Sequence, residues 1–369
     1  MKSQIALTLI AGLLAGSVSA MPKFYGRVDV SVDYLPRDNA VKKDDNHVQL
    51  NLNNTFIGIK GEEKLSERLK LIYQTEWTAV LKRNGPEVLT PRNQFIGLKD
   101  EKLGTLKFGK HDTPLKQLGL LVDSYNHAVE NNADIQGIMG GENRVDLSIY
   151  YESAAFKVAD GQVNFAVSLP KGKSQAIERS KGGSTVAGKD FGSAYSTSFT
   201  FKNDVLTAGL GYDYAIPSNF MRKGFLTAVD TETSTSGAFA AANTIRAVAR
   251  VNVDQNLSLR ALYQNAEVKD KQGNSANATN IDDADSWVLG MQYTLPEAKQ
   301  WTLKAQYTAT KTSMKYGLDD REIWQVMGGA DYAVSKNLKA YGYAGYLTLE
   351  QGLKEDHQLL VGTGLEYKF

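Results

Sequence analysis

The sequence contains no cysteine, and this absence excludes disulfide bonds, thiolate metal sites and a catalytic thiol. Only 4 histidines are present, and none has a metal-binding spacing such as HExxH. After residue 20, no apolar run reaches the roughly 18 residues of a membrane-spanning helix, so a helical membrane protein is excluded. The 42 basic and 41 acidic residues nearly balance, which argues against nucleic-acid binding. We therefore predict no metal, no cofactor and no nucleic-acid partner.

Residues 1–20 have the pattern of an export signal. Lys2 gives a positive start, residues 5–14 are a short apolar stretch, and Val-Ser-Ala at 18–20 supplies the small side chains of a cleavage site. We predict that residues 1–20 are a signal peptide and that residues 21–369 form one mature domain. Loss of Lys2 lowers the 42 basic residues by one, to equal the 41 acidic residues, so the mature chain has no formal net charge.

Apolar and polar residues alternate at every second position through most of the mature chain. Residues 144–151, 162–169 and 357–369 each place large apolar side chains on one face and charged or polar ones on the other. A helix would need apolar residues at spacings of three and four, and these segments lack that pattern. The alternation predicts about sixteen strands. We place them at 23–34, 49–62, 67–81, 92–100, 104–110, 144–152, 162–170, 193–202, 204–214, 243–253, 257–267, 286–294, 300–311, 322–333, 338–349 and 357–369.

Short and long connections alternate along the chain. The long ones are polar and lie at 35–48, 111–143, 171–192, 215–242 and 269–285. Tight turns at one rim and long loops at the other are typical of an outer-membrane barrel, and aromatic residues at strand ends fit its two interfacial girdles. We predict an all-β, transmembrane, antiparallel up-and-down β-barrel with a water-filled interior. A soluble β-sandwich is the alternative, but it would need a second sheet and a dividing linker.

The longest connection, residues 111–143, has an unusual composition. It carries Leu118, Leu120, Leu121, Val122, Ile135, Ile138 and Met139 beside Asp112, Asp123, Glu130 and Asp134. An extracellular loop has no need of so many apolar side chains in water, whereas a loop packed on the barrel wall does. We predict that this connection, the third long loop in the barrel count, folds into the lumen. The alternative is a short amphipathic helix on the rim.

Several segments resemble the general porins of Gram-negative bacteria. KFYGRVD at 23–29 resembles their first strand, and GIKGEEKL at 58–65 their second strand and first turn. RNQFIGLK at 92–99 and LGTLKFGK at 103–110 resemble the strands before the constriction loop. The chain ends in Tyr367-Lys368-Phe369, similar to the terminal aromatic signal of such barrels.

This resemblance implies a homotrimeric, sixteen-stranded diffusion pore in the outer membrane of a Gram-negative bacterium. It implies contact with outer-membrane lipid and lipopolysaccharide. It also implies recognition by the barrel assembly machinery through Tyr367 and Phe369. The transported partners would be small hydrophilic solutes and ions.

The resemblance further implies a basic cluster on the wall that faces acids on the third loop. Its wall positions correspond to Arg27, Arg92 and Arg144, and alternation also points Lys70 and Lys107 inward. On the loop we select Asp123 and Glu130, with Asp134 behind them. One position departs from the pattern: relatives often carry an arginine just before Ile57, and here Phe56 stands there. We therefore expect a thinner basic cluster.

The predicted function is a water-filled diffusion channel without enzymatic activity. Alternatives are a sugar- or anion-selective channel of the same class and an outer-membrane barrel hydrolase. An aromatic slide would favour the sugar channel, and Tyr341 and Tyr343 come nearest to one. A hydrolase would need His111 or His127 as its base. Four further bases point inward and either recruit anions or are balanced by loop acids: Arg246, Arg250, Arg260 and Lys304.

Overall fold

The computed structural model of the chain describes residues 21–36, 47–80, 88–227 and 237–369. The predicted signal peptide, residues 1–20, lies outside these ranges. In chain order the strands are β1 Lys23–Leu35, β2 His47–Leu52, β3 Phe56–Lys64, β4 Leu69–Val80, β5 Val88–Asp100, β6 Gly104–Asp112, β7 Arg144–Glu152, β8 Phe156–Val158, β9 Gly161–Pro170, β10 Glu178–Ser180, β11 Gly183–Thr185, β12 Tyr195–Lys202, β13 Leu206–Phe220, β14 Ala238–Asn252, β15 Leu257–Val268, β16 Ile281–Thr294, β17 Trp301–Met314, β18 Arg321–Ala333, β19 Leu338–Gln351 and β20 Lys354–Lys368.

These strands form one sheet that closes on itself. β1 pairs antiparallel with β20, from Arg27 opposite Lys368 to Tyr34 opposite Val361. The other edge of β1 pairs with β2 and then with β3, which together make one span. With the short β8, β10 and β11 set aside, the barrel has sixteen antiparallel spans, and the predicted fold class is confirmed. Closure satisfies every edge backbone group, as a lipid environment requires.

The alternation of side chains along each strand matches lipid on the outside of the barrel and water on the inside. In β1, Val28 and Val32 are exposed on the outer surface, while Ser31 and Asp33 are buried on the inner one. Aromatic pairs such as Trp301 and Tyr332, with ring centroids 4.8 Å apart, lie where strands end. Short turns join the strands at one end of the barrel, here called the short-turn end, and the long connections lie at the other, the long-loop end.

Several boundaries differ from the sequence prediction. The expected strand at 49–62 is interrupted at Asn53–Thr55, where Asn54 has a φ of 27°. β5 begins at Val88 rather than at residue 92. β13 continues to Phe220, and β14 already begins at Ala238. The start of β14 is an alanine-rich stretch without alternation, so the polar periodicity that identified other strands is missing there.

The end of the chain completes the closure. The Gly26 N–H donates to the Phe369 carbonyl oxygen at 3.1 Å, and the Phe369 N–H donates to the Gly26 carbonyl oxygen at 3.2 Å. The Phe369 ring lies over Gly26, because a Cβ on residue 26 would come 2.6 Å from both Phe369 Cζ and the Phe56 carbonyl oxygen. Glycine is therefore required where the last residue meets the first strand.

We expect Gly26→Ala to destabilise the barrel by about 1–3 kcal/mol, because the added methyl group must displace backbone as well as the terminal ring. The measurement is the denaturant midpoint of the purified protein in detergent. Gly328→Ala is the matched control, since a Cβ there meets no atom within 4 Å. Equal midpoints for the two variants would contradict this account of the closure.

Candidate pore constriction

The connection between β6 and β7 folds into three short turns. Helix α1, Pro114–Gly119, begins at Thr113, whose hydroxyl accepts from the Lys116 N–H, and Pro114 fits the first helical position. Helix α3, Ile135–Ile138, begins at Asp134, whose carboxylate accepts from the first backbone N–H groups. Between them lies α2, Ala128–Asn131, whose residues from 129 to 131 have positive φ. Positive φ is unfavourable for a β-branched residue such as Val129, so its surroundings must hold this turn in place.

Apolar packing binds the connection to the inner face of the sheet. Leu118 and Ile135 belong to a buried cluster with Val248, Leu262 and Val288 of β14, β15 and β16. On its other side, Tyr125, Val129 and Ile138 pack with inward-facing residues of β18, β19 and β20. Because these contacts run along the inner face of the sheet from β14 to β20, we infer that the segment lies inside the lumen. This segment, residues 113–143, is called the constriction loop below.

Arg246 of β14 ties the two ends of the constriction loop together. Its guanidinium donates to the Leu115 carbonyl oxygen at 3.2 Å and to the Gly140 carbonyl oxygen at 3.1 Å. It also pairs with Glu142 at 2.6 Å and donates to Gln264. Arg246 is fully buried, and these partners satisfy its charge and its donors.

The interruption between β2 and β3, at Asn53–Thr55, holds the turn of positive φ at residues 129–131. Asn53 Oδ1 accepts from the Glu130 N–H at 2.8 Å, and Asn54 Nδ2 donates to His127 Nε2 at 2.7 Å. His127 Nδ1 then donates to Asn131 Oδ1 at 2.9 Å. This donor arrangement needs a neutral imidazole, and burial lowers the pKa of His127 well below its usual value. Asn53 and Asn54, which interrupt the strand, therefore bind the constriction loop to the wall.

Two of the predicted wall arginines meet at one aromatic ring. The guanidinium carbons of Arg27 and Arg92 lie 5.6 Å and 5.1 Å from the centroid of Phe56, one cation–π contact each. Arg27 pairs with Glu366 at 3.3 Å, and Arg92 lies 3.5 Å from a Glu76 carboxylate oxygen. Phe56 therefore places a neutral ring that attracts both cations.

The third wall arginine forms a separate group with an acid of the wall. Arg144 pairs with Asp112 at 3.0 Å, and Lys116 of the constriction loop pairs with the same carboxylate at 3.1 Å. Asn93 accepts from Arg144 at 3.0 Å and donates to Asp112 at 2.9 Å. A register shift between Thr75 and Trp77, in the strand that pairs with β5, accompanies the inward position of both Arg92 and Asn93.

A hairpin from another long connection reaches this group. Strands β10 and β11 form it, and β11 makes a parallel bridge with β7. The Gly182 carbonyl oxygen accepts from Arg144 at 3.0 Å, and the Lys181 carbonyl oxygen accepts from Lys110. Gly182 has a φ of 67°, and a Cβ there would come 1.9 Å from the Pro91 carbonyl oxygen.

The two predicted lysines lie apart from this cluster. Lys70 is exposed near the turn between β3 and β4, at the short-turn end, where it pairs with Glu62 at 2.7 Å. Lys107 faces inward on β6, lies 4.7 Å from the centroid of Tyr150 and pairs with Glu152 at 3.6 Å. The structure therefore brings together Arg27 and Arg92, and places Lys107 in the bore but with different partners.

The predicted loop acids bind the loop itself. Asp123 accepts from Gln306 Nε2 and from the Tyr125 N–H, both at 3.1 Å. Asp134 accepts from the His127 N–H at 2.9 Å as well as from α3. Burial raises the pKa of Asp123 and raises that of Asp134 well above its usual value. Glu130 is exposed, and in the described ranges no ion pair joins these three acids to a base.

The acids that do face the wall arginines were missed in the sequence. Glu76 and Glu366 point inward by alternation, which is the pattern that identified the bases, whereas Asp112 follows a register shift between Gly109 and His111. Glu366 also belongs to a longer ladder across five neighbouring strands. It runs Lys304–Asp331 at 2.8 Å, Asp331–Lys339 at 3.3 Å, Lys339–Glu366 at 3.6 Å and Glu366–Arg27 at 3.3 Å. Cross-strand register, which the sequence does not give, decides these pairs.

Two negative observations apply to the described ranges. They contain no helix that is both long and apolar enough to cross a bilayer. They also contain no group of three or more histidine or acidic side chains arranged to hold a metal ion.

A closed, lipid-compatible barrel with a charged inner face, against which one of its own loops packs, defines an outer-membrane pore protein. The family model described as Gram-negative porin matches residues 6–352. The chain belongs to this family. It is a water-filled diffusion channel for small hydrophilic solutes in the outer membrane of a Gram-negative bacterium.

Sequence relatives agree with the family. The chain is 24% identical over 340 residues to major outer membrane protein P.IA of Neisseria meningitidis serogroup C, covering 85% of this chain and 82% of the relative. It is 26% identical over 379 residues to major outer membrane protein P.IB of Neisseria lactamica, covering 100% and 99%.

A solved structure has the same fold. The anion-selective porin from Comamonas acidovorans aligns with a TM-score of 0.67 at 17% identity, over 95% of this chain and 99% of that one.

We expect Phe56→Ala to raise single-channel conductance with little change in reversal potential. The substitution removes a ring from the bore without changing its charge, while Glu366 and Glu76 still hold the two arginines. The measurement is planar-bilayer recording, with Phe199→Ala, an exposed residue of the outer face, as control. A conductance equal to that of the control would contradict the position of Phe56 in the passage.

We expect Asn53→Ala to loosen the constriction loop. The change leaves the Glu130 N–H without its acceptor, at a cost of about 1–3 kcal/mol, and removes donors to Ser31 and Tyr341. Current traces should show more frequent brief closures than wild type. Asn337→Ala, in the turn between β18 and β19, serves as control, and an unchanged closure frequency in Asn53→Ala would refute the docking role.

Proposed function

We propose that solutes are selected in the passage between the constriction loop and the wall formed by β1 to β7. The observation that carries this proposal is that Arg27, Arg92 and Arg144 are each held within 3.0–3.5 Å of an acid beside the loop. Bases and acids fixed at this spacing form a strong local field across a narrow aqueous gap. The field is stronger there than in bulk water because the effective dielectric constant is lower.

This field favours small polar solutes over apolar ones. A polar solute aligns its dipole with the field and replaces the oriented water at little cost, whereas an apolar solute removes that water without replacement. Since each arginine has an acidic partner, the charges balance locally and discrimination between cations and anions is weak. Lys107 adds a positive charge along the same wall, and Lys70 acts at the short-turn entrance.

The loop acids have different roles in this proposal. Asp123 and Asp134 maintain the shape of the loop, because their carboxylates are used by its own backbone. Glu130 alone among the three presents an exposed carboxylate. We propose that Glu130 contributes the loop's negative charge to the passage.

Charge neutralisation in the passage should change ion selectivity in opposite directions. We expect Arg144→Gln to shift the reversal potential across a salt gradient towards cation preference, and Asp112→Asn to shift it towards anion preference. Asp123→Asn is expected to change it less, since its carboxylate is buried and engaged within the loop. If neither Arg144→Gln nor Asp112→Asn moves the potential, the passage lies elsewhere.

The proposed assembly is a homotrimer embedded in outer-membrane lipid and lipopolysaccharide. Support comes from a neighbour of the same fold whose solved form is described as a trimer, OmpT of Vibrio cholerae, at a TM-score of 0.59. We further propose that residues 1–20 are removed on export. Tyr367 and Phe369, which stack with centroids 6.2 Å apart and are exposed on the outer face, would be the contacts of the assembly machinery.

We propose no catalytic function. A hydrolase would need an accessible base, but His111 is buried and bonded to the Asp112 carbonyl oxygen, and His127 is committed to Asn54 and Asn131. A sugar slide is likewise disfavoured. Tyr341 and Tyr343 stack on the inner wall, but their hydroxyls donate to Asp29 and Asp33, and Tyr343 is buried against the constriction loop.

A further inference from the structure

Two arginines on the inner face of β14 and β15 lack the acidic partners that other inward bases have. Arg250 and Arg260 are directly opposite each other in the β14–β15 ladder. On the same wall Arg246 pairs with Glu142 and Lys304 pairs with Asp331. In the described ranges no ion pair engages Arg250 or Arg260. Like charges in directly opposed positions destabilise a sheet, so this arrangement favours any anion that enters between them.

Unused hydrogen-bond donors occur on both arginines and on a neighbouring residue of the constriction loop. Arg250 Nε, Arg260 Nε and Ser124 Oγ are buried atoms without a hydrogen-bond partner. Ser124 belongs to the constriction loop and is 7% exposed. A Cβ built on Gly290 would lie 3.4 Å from Ser124 Oγ and 3.6 Å from Arg260 Cβ, so both side chains flank this glycine. The loop thus brings a free hydroxyl close to Arg260, the partner of Arg250 across the strand pair.

Two openings border Gln292, which is a hydrogen-bond partner of Arg260. The guanidinium of Arg260 donates to Gln292 Oε1. Gln292 and Ser124 line a cavity of about 230 Å³ under the constriction loop. Gln292 also lines an open groove at the short-turn end, between the turns at 204–205 and 253–257. Arg250 and Arg260 are themselves half-buried rather than sealed.

The acid nearest in sequence does not occupy this position. Asp123 precedes Ser124, but its carboxylate accepts from Gln306, from the Tyr125 N–H and from Asn126. The loop's acidic charge is therefore directed into the loop itself, while Ser124 presents a hydroxyl group beside the arginines.

We propose that Arg250, Arg260 and Ser124 form a binding site for a small oxyanion of phosphate size. Two guanidinium groups and a hydroxyl supply donors that match the oxygens of such an anion, and guanidinium–oxyanion hydrogen bonds are among the strongest in proteins. The site serves as a resting point for anions below the constriction loop. It depends on the passage proposed above being open, but not on which residues narrow it.

The test measures block of chloride current by inorganic phosphate in planar bilayers at constant ionic strength. Wild-type channels should show a saturable reduction of the current. In the double variant R250Q/R260Q the half-blocking phosphate concentration should rise about tenfold or more. Arg68→Gln is the matched control, because Arg68 pairs with Asp100 near the turn between β3 and β4, outside this site. It should keep the wild-type block.

A second variant separates a defined site from a general positive potential. R250K/R260K keeps both charges but loses the guanidinium geometry, and it should weaken the block by an intermediate factor. Full block in R250K/R260K, equal block in R250Q/R260Q, or no block in wild type would each overturn the proposal. The reversal potentials of Arg144→Gln and Asp112→Asn, measured in the same membranes without phosphate, report on the constriction separately.

Discussion

The need to pair every backbone group in lipid determines the rest of this molecule. A closed sheet meets that need, and sixteen spans make it so wide that side chains of the wall cannot fill the bore. Water then enters, and the inner face becomes polar. In this chain the residues between β6 and β7 pack against that inner face.

A loop inside a water-filled bore needs attachment at several points. Apolar packing on β14 to β16 anchors one side, and Arg246 joins the two ends of the loop through carbonyl oxygens and Glu142. At the far side, the interruption of the second span offers Asn53 and Asn54 to a turn of positive φ. The turn of positive φ and the interrupted strand occur together because each supplies hydrogen-bond partners to polar groups of the other.

The wall charges show how arginines are concentrated without strong mutual repulsion. Each of Arg27, Arg92 and Arg144 has an acid on the wall, and Phe56 sits between the first two. The ring gives a favourable contact to both guanidinium groups at a position where another cation would oppose them. The thinner basic cluster expected from Phe56 is therefore accompanied by closer attachment of the arginines that remain.

The sequence predicted most of the barrel because lipid outside and water inside impose alternation on nearly every strand. It failed where that contrast is absent, as in the alanine-rich start of β14 and at the break after Leu52. It selected the wall bases by parity and resemblance, yet it did not identify Asp112 or Glu76 as their partners. Those contacts depend on strand register and on the shift opposite β5, which are set by backbone pairing across distant segments.

The hairpin of β10 and β11 has a consequence for how the surface of this protein can evolve. Its tip gives the carbonyl oxygens of Lys181 and Gly182 to bases of the bore, and a side chain at residue 182 would collide with Pro91. An insertion or substitution at this tip would therefore move the acceptors of Arg144 and Lys110 and alter the electrical properties of the channel, so variation of this connection and permeability are coupled at two adjacent residues.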